Sequence, residues 1–408
     1  EFRRVLFRSL ACPCAGAKGP CRSPLTVEEK DGVPLIEAAD PRHGILEGIL
    51  RCSGCGATFP IVCGLPILIP ELKDYLRANH ALLISMAAQI GEPLSDKMLR
   101  YLEQQGAHCP PVMSGLGWHY GSPHQLSVYL SAHYDDVLYT MPEGNPLRAL
   151  LQAARATDPY SALVGLVAPH IKGSGEGAGE GADEGAGEGA GEGAAEGSGK
   201  VPGGARPIAL DVGCHVGRLS RELAPRCGTV LGLDMNFAAA LTARRILVGW
   251  PRPFDGYDLY REGLLHERRA IALPPLANAE VIVGSGLSLP LRDGSIDIAV
   301  STNVLDAIPA PALLLQEMGR SLREGGLIGN ACIYMWDIVV PTEGWLGGKD
   351  GQESAERVRR FLSESFELIG EADYVPWVLH QYDRSWGLHL SHCIAGRKRA
   401  SDPRTPAR

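Results

Sequence analysis

The chain has 408 residues, 45% of them hydrophobic, and a formal charge of −8. This length is enough for two or more domains with cores of their own, and no apolar run approaches the roughly 18 to 20 residues that a membrane-spanning helix needs. Seven acidic residues sit between Gly173 and Gly199, where there is no basic residue, so the rest of the chain is close to neutral. That balance argues against a protein built to grip a nucleic acid backbone.

From the N-terminus, EFRRVLFRS begins at Glu1 rather than Met and matches nothing that follows, so residues 1–9 read as a cloning or assembly scar on a fragment or fused reading frame. Residues 10–70 are rich in Cys, Gly and Pro and carry the strand-like runs GILEGILRC and TFPIV. Six of the eleven cysteines fall between Cys12 and Cys63. In a chain expected to be cytoplasmic, such clustering points to a metal rather than to disulfides. LRCSGCGATFP contains Cys52-x-x-Cys55-Gly, two thiolates able to share one tetrahedral ion around a turn that the glycine permits. Upstream, ACPCAGAKGPC offers Cys12, Cys14 and Cys21, the layout of a zinc ribbon. Cys63, in PIVCGLP, reads as a buried small hydrophobe.

Residues 71–172 turn helical: YLRANHALLISMAAQI and SDKMLRYLEQQ space apolar residues by three and four, and Ser95 before Asp96 predicts a helix start. YLSAHYDDVLYTMPEG brings His133, Tyr134, Asp135 and Asp136 together and reads as a solvated helix end. Residues 173–206 repeat a Gly-Glu-Gly-Ala unit that can bury nothing apolar, which predicts a flexible linker.

Residues 207–400 alternate strand and helix: PIALDV, GRLSRELAPRC, TVLGLDM, FAAALTARRILVG, AEVIVG, IDIAVST, PAPALLLQEMGRSLREG, GLIGNACIYM. The fold class is therefore α/β, a parallel sheet with helices on both faces. FELIGEADY and GLHLSHCIAGRK lack a helix-length spacer and predict an antiparallel hairpin at the sheet edge, before a disordered tail at 401–408.

In an open parallel sheet, ligands sit beyond the carboxyl ends of the strands. LDVGCHVGR lies there, but its glycines are Gly213 and Gly217, with His215 where a dinucleotide turn wants a glycine against the pyrophosphate. Asp211 would repel a pyrophosphate and attract an ammonium, and Asp234 at the end of the next strand suits two ribose hydroxyls. These features fit S-adenosylmethionine.

ALDVGCHVGRLSRELA, VLGLDMN, VIVGSGLSLPLRDGSIDIAVSTNVLDAI and LLLQEMGRSLREGGLI resemble the ordered motifs of class I S-adenosylmethionine-dependent methyltransferases of type 11, over about Pro207 to Arg399. The resemblance implies a Rossmann-like sheet and cofactor contacts from Asp211, Gly213, Gly217, Asp234, Ser285, Gly286 and Asn303. Since many methyltransferases of this class carry an extra N-terminal helix that closes over the cofactor, it also offers that as a second reading of the segment around His133. Ser285 departs from the pattern, since the family often has an acid near this point to meet the adenine amino group. Leu10 to Glu71 resembles the zinc-ribbon Trm-type methyltransferase activator family, small partner subunits of RNA and protein methyltransferases that also occur fused to others. That resemblance implies structural zinc on Cys12, Cys21, Cys52 and Cys55, with Cys14 as substitute for either upstream ligand.

Methyl transfer needs a positioned nucleophile and exclusion of water. Loop residues after the fourth and fifth strands supply the catalytic candidates Asn303, Asp306, Tyr334 and Asp337, and the substrate candidates Trp345, Trp377 and Arg384. Asp306 alternatively caps the helix near Pro309. TNVLDAIP, YMWD and DYVPWVL loosely resemble the methyltransferase half of ovothiol synthase, which implies a small polar acceptor, an imidazole or amine. The alternatives are an RNA (tRNA or rRNA) methyltransferase gripping its substrate with the ribbon, and a non-catalytic cofactor-binding regulator. No membrane partner is expected, and protein partners are not specified by the sequence.

Overall fold

The computed structural model describes residues 9–16, 19–28, 35–37, 44–106, 120–171, 206–336 and 340–400. Residues 1–8 of the expected scar, the repeat from 173 to 205, the tail from 401 and Asp337 lie outside these. Among the described residues, no helix is long and apolar enough to cross a membrane.

The cysteine-rich segment forms β1 (Leu25–Glu28), β2 (Ile45–Cys52), β3 (Thr58–Val62) and β4 (Leu65–Leu68), each antiparallel to its neighbour. Cys63 and Gly64, at φ 50° and 76°, make the two-residue turn between β3 and β4. Cys63 is buried, as expected, and a Cβ on Gly64 would lie 1.9 Å from the Trp250 ring.

The helical segment follows as α1 (Leu72–Gln89), α2 (Asp96–Gly106), α3 (Pro123–Tyr134), α4 (Pro146–Arg155) and α5 (Pro159–Val167). Ser95 does start α2: its hydroxyl accepts the Met98 N–H and is held by buried Glu47. Ser122, Asn145 and Asp158 cap α3, α4 and α5, each followed by proline in the first turn.

The remainder runs β5 (Ile208–Val212), α6 (Arg218–Leu223), β6 (Thr229–Asp234), α7 (Phe237–Leu247), β7 (Gly256–Glu262), β8 (Leu265–Ala270), β9 (Ala279–Gly284), β10 (Ile296–Thr302), α8 (Pro311–Ser321), β11 (Leu322–Cys332), α9 (Ser354–Ser363), β12 (Phe366–Tyr382) and β13 (Ser385–Lys398). β11, β10, β5, β6 and β9 lie side by side and parallel. β9 is buried at every residue, as befits a mostly apolar strand covered on both faces, and its one charge, Glu280, is paired with Arg244. β13 and β12 extend one edge as the expected antiparallel hairpin. The hairpin β7–β8 stands apart from this sheet and was not foreseen; its alternating face, with LHERRA largely solvated, carries little apolar signal.

At the other edge the sheet does not end. β4 pairs parallel with β9, Val283 opposite Ile67 and Gly284 opposite Leu68, so the ribbon strands continue the sheet. Ile67, Leu76 and Leu83 share one apolar cluster with Phe237, Leu241 and Val283. A ribbon energetically separate from the α/β unit, which the linker implies, is thus corrected: parallel ladder bonds and a joint core bind the two.

Candidate functional site

A pocket of about 450 Å³ opens at the carboxyl ends of β5, β6, β9 and β10. Asp211, Gly213, Gly217's neighbour Arg218, Asp234, Ser285, Gly286 and Asn303 all lie at it. Gly213 and Gly217 have φ of 74° and 87°, and a Cβ on Gly213 would lie 2.3 Å from Val304. Both glycines are therefore required by the turn.

Asp211 is buried, and its Oδ2 accepts bonds from the Ser220 N–H and hydroxyl at 2.9 and 2.7 Å. Burial pushes its carboxyl up to about 7 despite those bonds, with the nearby Asp234 charge adding to the shift. Asp234 accepts the His215 N–H on Oδ2 at 2.9 Å and the Asn236 N–H on Oδ1 at 2.8 Å. Burial raises its carboxyl too, opposed by the His215 ring and by those backbone donors.

His215 occupies the middle of the turn at φ 44°, a conformation that a side chain adopts only against strain. Its ring lies against Tyr129 with centroids 3.9 Å apart, and its Nε2 meets the Tyr120 carbonyl at 3.1 Å. Asn303, at φ 55°, has both polar side-chain atoms buried without a partner among the described residues, and the Thr302 hydroxyl is in the same position. Buried polar atoms are costly unless bonded, so their place in this wall marks a polar ligand.

The helices before the sheet roof the pocket. Tyr75, Ala78 and Asn79 of α1 line it, and the Tyr75 hydroxyl donates to the Met235 carbonyl at 3.1 Å. Tyr129 and His133 of α3 and Tyr160 of α5 line the side towards α6. None of these was singled out for the cofactor site from sequence, although the extra-helix reading of residues near His133 pointed this way. The solvated reading of His133 is corrected: it is 8% exposed, packed edge-on to Tyr160 at 4.6 Å, and burial holds its pKa well below the usual value.

The other candidates scatter. Asp306 is buried and accepts the Met335 N–H at 2.7 Å rather than capping α8, whose N-cap is Ala310. Tyr334 hydrogen-bonds His392 at 2.7 Å, and His392 reaches Glu371 at 2.9 Å. Trp345 stacks on Trp336 at 5.7 Å and donates to the Val340 carbonyl. Arg384 sits at the hairpin tip, 84% exposed and paired with Glu262. Trp377 lines a second, smaller cavity beside the main pocket.

In the ribbon, the sulfurs of Cys12, Cys21, Cys52 and Cys55 all lie within 4.8 Å of one another. Cys12 and Cys55 are 3.6 Å apart and Cys21 and Cys52 3.5 Å, close to the roughly 3.8 Å edge of a tetrahedral zinc–thiolate site. The Gly54 and Cys55 N–H groups point at the Cys52 sulfur at 3.3 and 3.4 Å, the donors a thiolate would use. Cys14 stands aside, its sulfur 4.0 Å from the Pro70 carbonyl. The donor set fits a tetrahedral metal.

A glycine turn between a buried and a half-buried acid at the ends of parallel strands is the arrangement of a Rossmann-like methyltransferase domain. Residues 210–329 match the family described as methyltransferase domain. The chain is 38% identical over 136 residues to an uncharacterised methyltransferase of Mycobacterium sp. (strain JLS), covering 32% of this chain and 45% of that protein. To an uncharacterised methyltransferase of Mycobacterium leprae it is 32% identical over 155 residues, covering 36% and 50%. The chain thus spans about half the length of these curated relatives. Among solved structures, it is similar to a SAM-dependent methyltransferase from Methanosarcina mazei, with 20% identity, a TM-score of 0.32, and coverage of 48% of this chain and 94% of that one. A complex of the Haloferax volcanii Trm112 methyltransferase activator with a methyltransferase gives 16% identity, a TM-score of 0.32, and coverage of 49% and 86%.

Proposed function

We propose that this chain is an S-adenosylmethionine-dependent methyltransferase whose acceptor is a small polar molecule, an imidazole or amine, and whose ribbon carries one structural zinc. The observation that carries the reading is the roofed pocket with Asp211 and Asp234 at adjacent strand ends and Asn303, unpartnered among the described residues, in the same wall after β10.

The roles follow from chemistry. Asp234 uses both oxygens to accept backbone N–H bonds, and each oxygen keeps lone-pair capacity for ribose hydroxyls. Asp211 takes the ammonium of the methionine end. Ser285 and Gly286 flank the adenine side, although the Ser285 hydroxyl already accepts the Leu287 N–H at 3.2 Å. When bound, S-adenosylmethionine supplies a methyl group on a positively charged sulfur. Asn303 supplies a donor and an acceptor to orient the reacting groups, and the α1 and α3 side chains exclude water. An amine or imidazole attacks without a strong base, which accords with a pocket wall that presents Asn303 while Asp306 and Tyr334 are bonded elsewhere. Zinc would be held by Cys12, Cys21, Cys52 and Cys55.

Asp211 gives the reading a pH signature. Its folded carboxyl titrates near 7 against about 3.8 unfolded, so the folded state holds the extra proton between these values and stability falls as pH rises through that window. Binding an ammonium demands the ionised form, so affinity for S-adenosylhomocysteine should rise up to about tenfold per pH unit below 7 and then level off. Asp211→Asn should flatten the profile. Calorimetric titrations from pH 5.5 to 8 check this, and a flat wild-type profile would remove the ammonium role.

The acceptor class is tested by transfer of labelled methyl from S-adenosylmethionine into a cell extract, separated afterwards into low-mass, RNA and protein fractions. The label should appear in the low-mass fraction. Label in RNA would replace the acceptor assignment, and no label in any fraction would favour a cofactor-binding regulator.

A further inference from the structure

Beside the main pocket lies a cavity of about 140 Å³. His133, Tyr160 and Arg218 line both, so the two spaces share a wall. Trp377 lines the smaller one only, and Arg155 lines it and a further pocket beside Asp136, Leu138 and Arg148, but not the main one.

These two side chains are anomalous in the same way. The Arg155 Nη1 and the Trp377 Nε1 are buried donors without a partner among the described residues, and Trp377 is 5% exposed. Arg155 otherwise donates to main-chain oxygens, the Asp135 carbonyl at 2.6 Å and the Ser131 carbonyl at 3.5 Å. It forms no ion pair among the described residues: Asp135 is taken by Arg269 at 2.7 Å and by Tyr257. The acid in the cavity wall, Asp158, is committed to the α5 cap and to Arg218. Arg218 is itself saturated by Glu222, Asp158 and the His133 carbonyl. The cavity wall therefore carries a guanidinium with an unpartnered Nη1, lying within the fields of Asp136, Asp135 and Asp158 but ion-paired to none of the described residues, and one indole N–H. Buried donors left unpaired are expensive, and a planar anion with two acceptor oxygens satisfies both.

We propose that this cavity binds the carboxylate of the methyl acceptor, held by Arg155 and Trp377 so that the acceptor's nucleophilic end reaches across the shared wall into the main pocket. The proposal rests on the methyltransferase reading and narrows its substrate class to small carboxylic acids. Because neither residue lines the main pocket, a cofactor filling that pocket does not reach them.

The test uses the full chain, labelled S-adenosylmethionine and a protein-free cell extract. The labelled low-mass product is resolved by electrophoresis at neutral pH before and after esterification. The expected product has a carboxyl group that esterification removes. Trp377→Phe removes the indole N–H with part of the ring, and Arg155→Met removes the guanidinium together with its bonds to the Asp135 and Ser131 carbonyls. Each should lower product formation at least tenfold in protein with native circular dichroism, while S-adenosylhomocysteine affinity stays within about twofold of wild type. A product without a carboxyl group, no low-mass product, or unaffected variants would overturn the proposal. If the variants weaken S-adenosylhomocysteine but not methylthioadenosine, the carboxylate bound is the cofactor's own, and the acceptor assignment fails. Failure of the wild type to bind S-adenosylhomocysteine at all would instead defeat the methyltransferase reading beneath it.

Discussion

Asp234→Ala is expected to weaken S-adenosylhomocysteine at least tenfold. Two charge-assisted bonds to ribose hydroxyls in a buried site are worth on the order of 2–4 kcal/mol, and about 1.4 kcal/mol is already tenfold in affinity. The substitution also frees the His215 and Asn236 N–H groups, which Asp234 holds at 2.9 and 2.8 Å. Some loss of stability should accompany the loss of affinity. Asp234→Asn separates the two effects, since an amide oxygen can still accept one backbone bond but offers the ribose no charged acceptor. Both variants should be checked for native circular dichroism before titration. Wild-type affinity in a folded Asp234→Ala protein would remove Asp234 from the cofactor site.

Cys52→Ser should act further from its place in the ribbon than a surface knuckle would. The loop carrying Cys12 and Cys14 is clamped to the loop after β9: the Ala11 N–H donates to the Pro290 carbonyl at 2.9 Å, and the Ser288 hydroxyl to the Pro13 carbonyl at 2.8 Å. Arg22, beside Cys21, pairs with Glu317 at 2.9 Å, and Glu317 in turn accepts the Leu289 N–H at 2.8 Å. Ser285 and Gly286, which line the main pocket, belong to that same loop. Metal binding to such modules is coupled to their folding, so losing a ligand releases the clamp. We expect purified wild-type protein to carry about one zinc per chain and Cys52→Ser to lose it. A fall of several degrees in melting temperature and a several-fold weaker affinity for S-adenosylhomocysteine should follow. Elemental analysis with calorimetry on the same samples checks each step. Zinc-free wild-type protein, purified gently under reducing conditions, would exclude the zinc reading.

Much of the α/β unit was legible because its strands are short apolar runs ending in acids or glycines, as in ALDVG and LGLDM, and because helices of regular length separate them. The four-cysteine set was legible from spacing and resemblance, and the sulfurs do converge. The roof of the pocket was not. Tyr75 and Asn79 reach it only because β4 docks on β9 and carries α1 over the end of β6, a consequence of tertiary pairing that no local pattern encodes. A faint signal was present: LPIL is apolar throughout, with three of four residues buried, the mark of a strand covered on both faces rather than of a ribbon's outer edge. Arg155 and Trp377 escaped joint notice for a similar reason, being more than two hundred residues apart and meeting only where α4 and α5 cross β12.

The most direct test of the whole account is a calorimetric titration of the wild-type chain with S-adenosylhomocysteine at pH 8. One molecule should bind per chain, with an affinity that Asp234→Ala lowers at least tenfold. A titration without binding heat, together with no shift in melting temperature at millimolar ligand, would contradict the assignment of the main pocket and the methyltransferase function built on it.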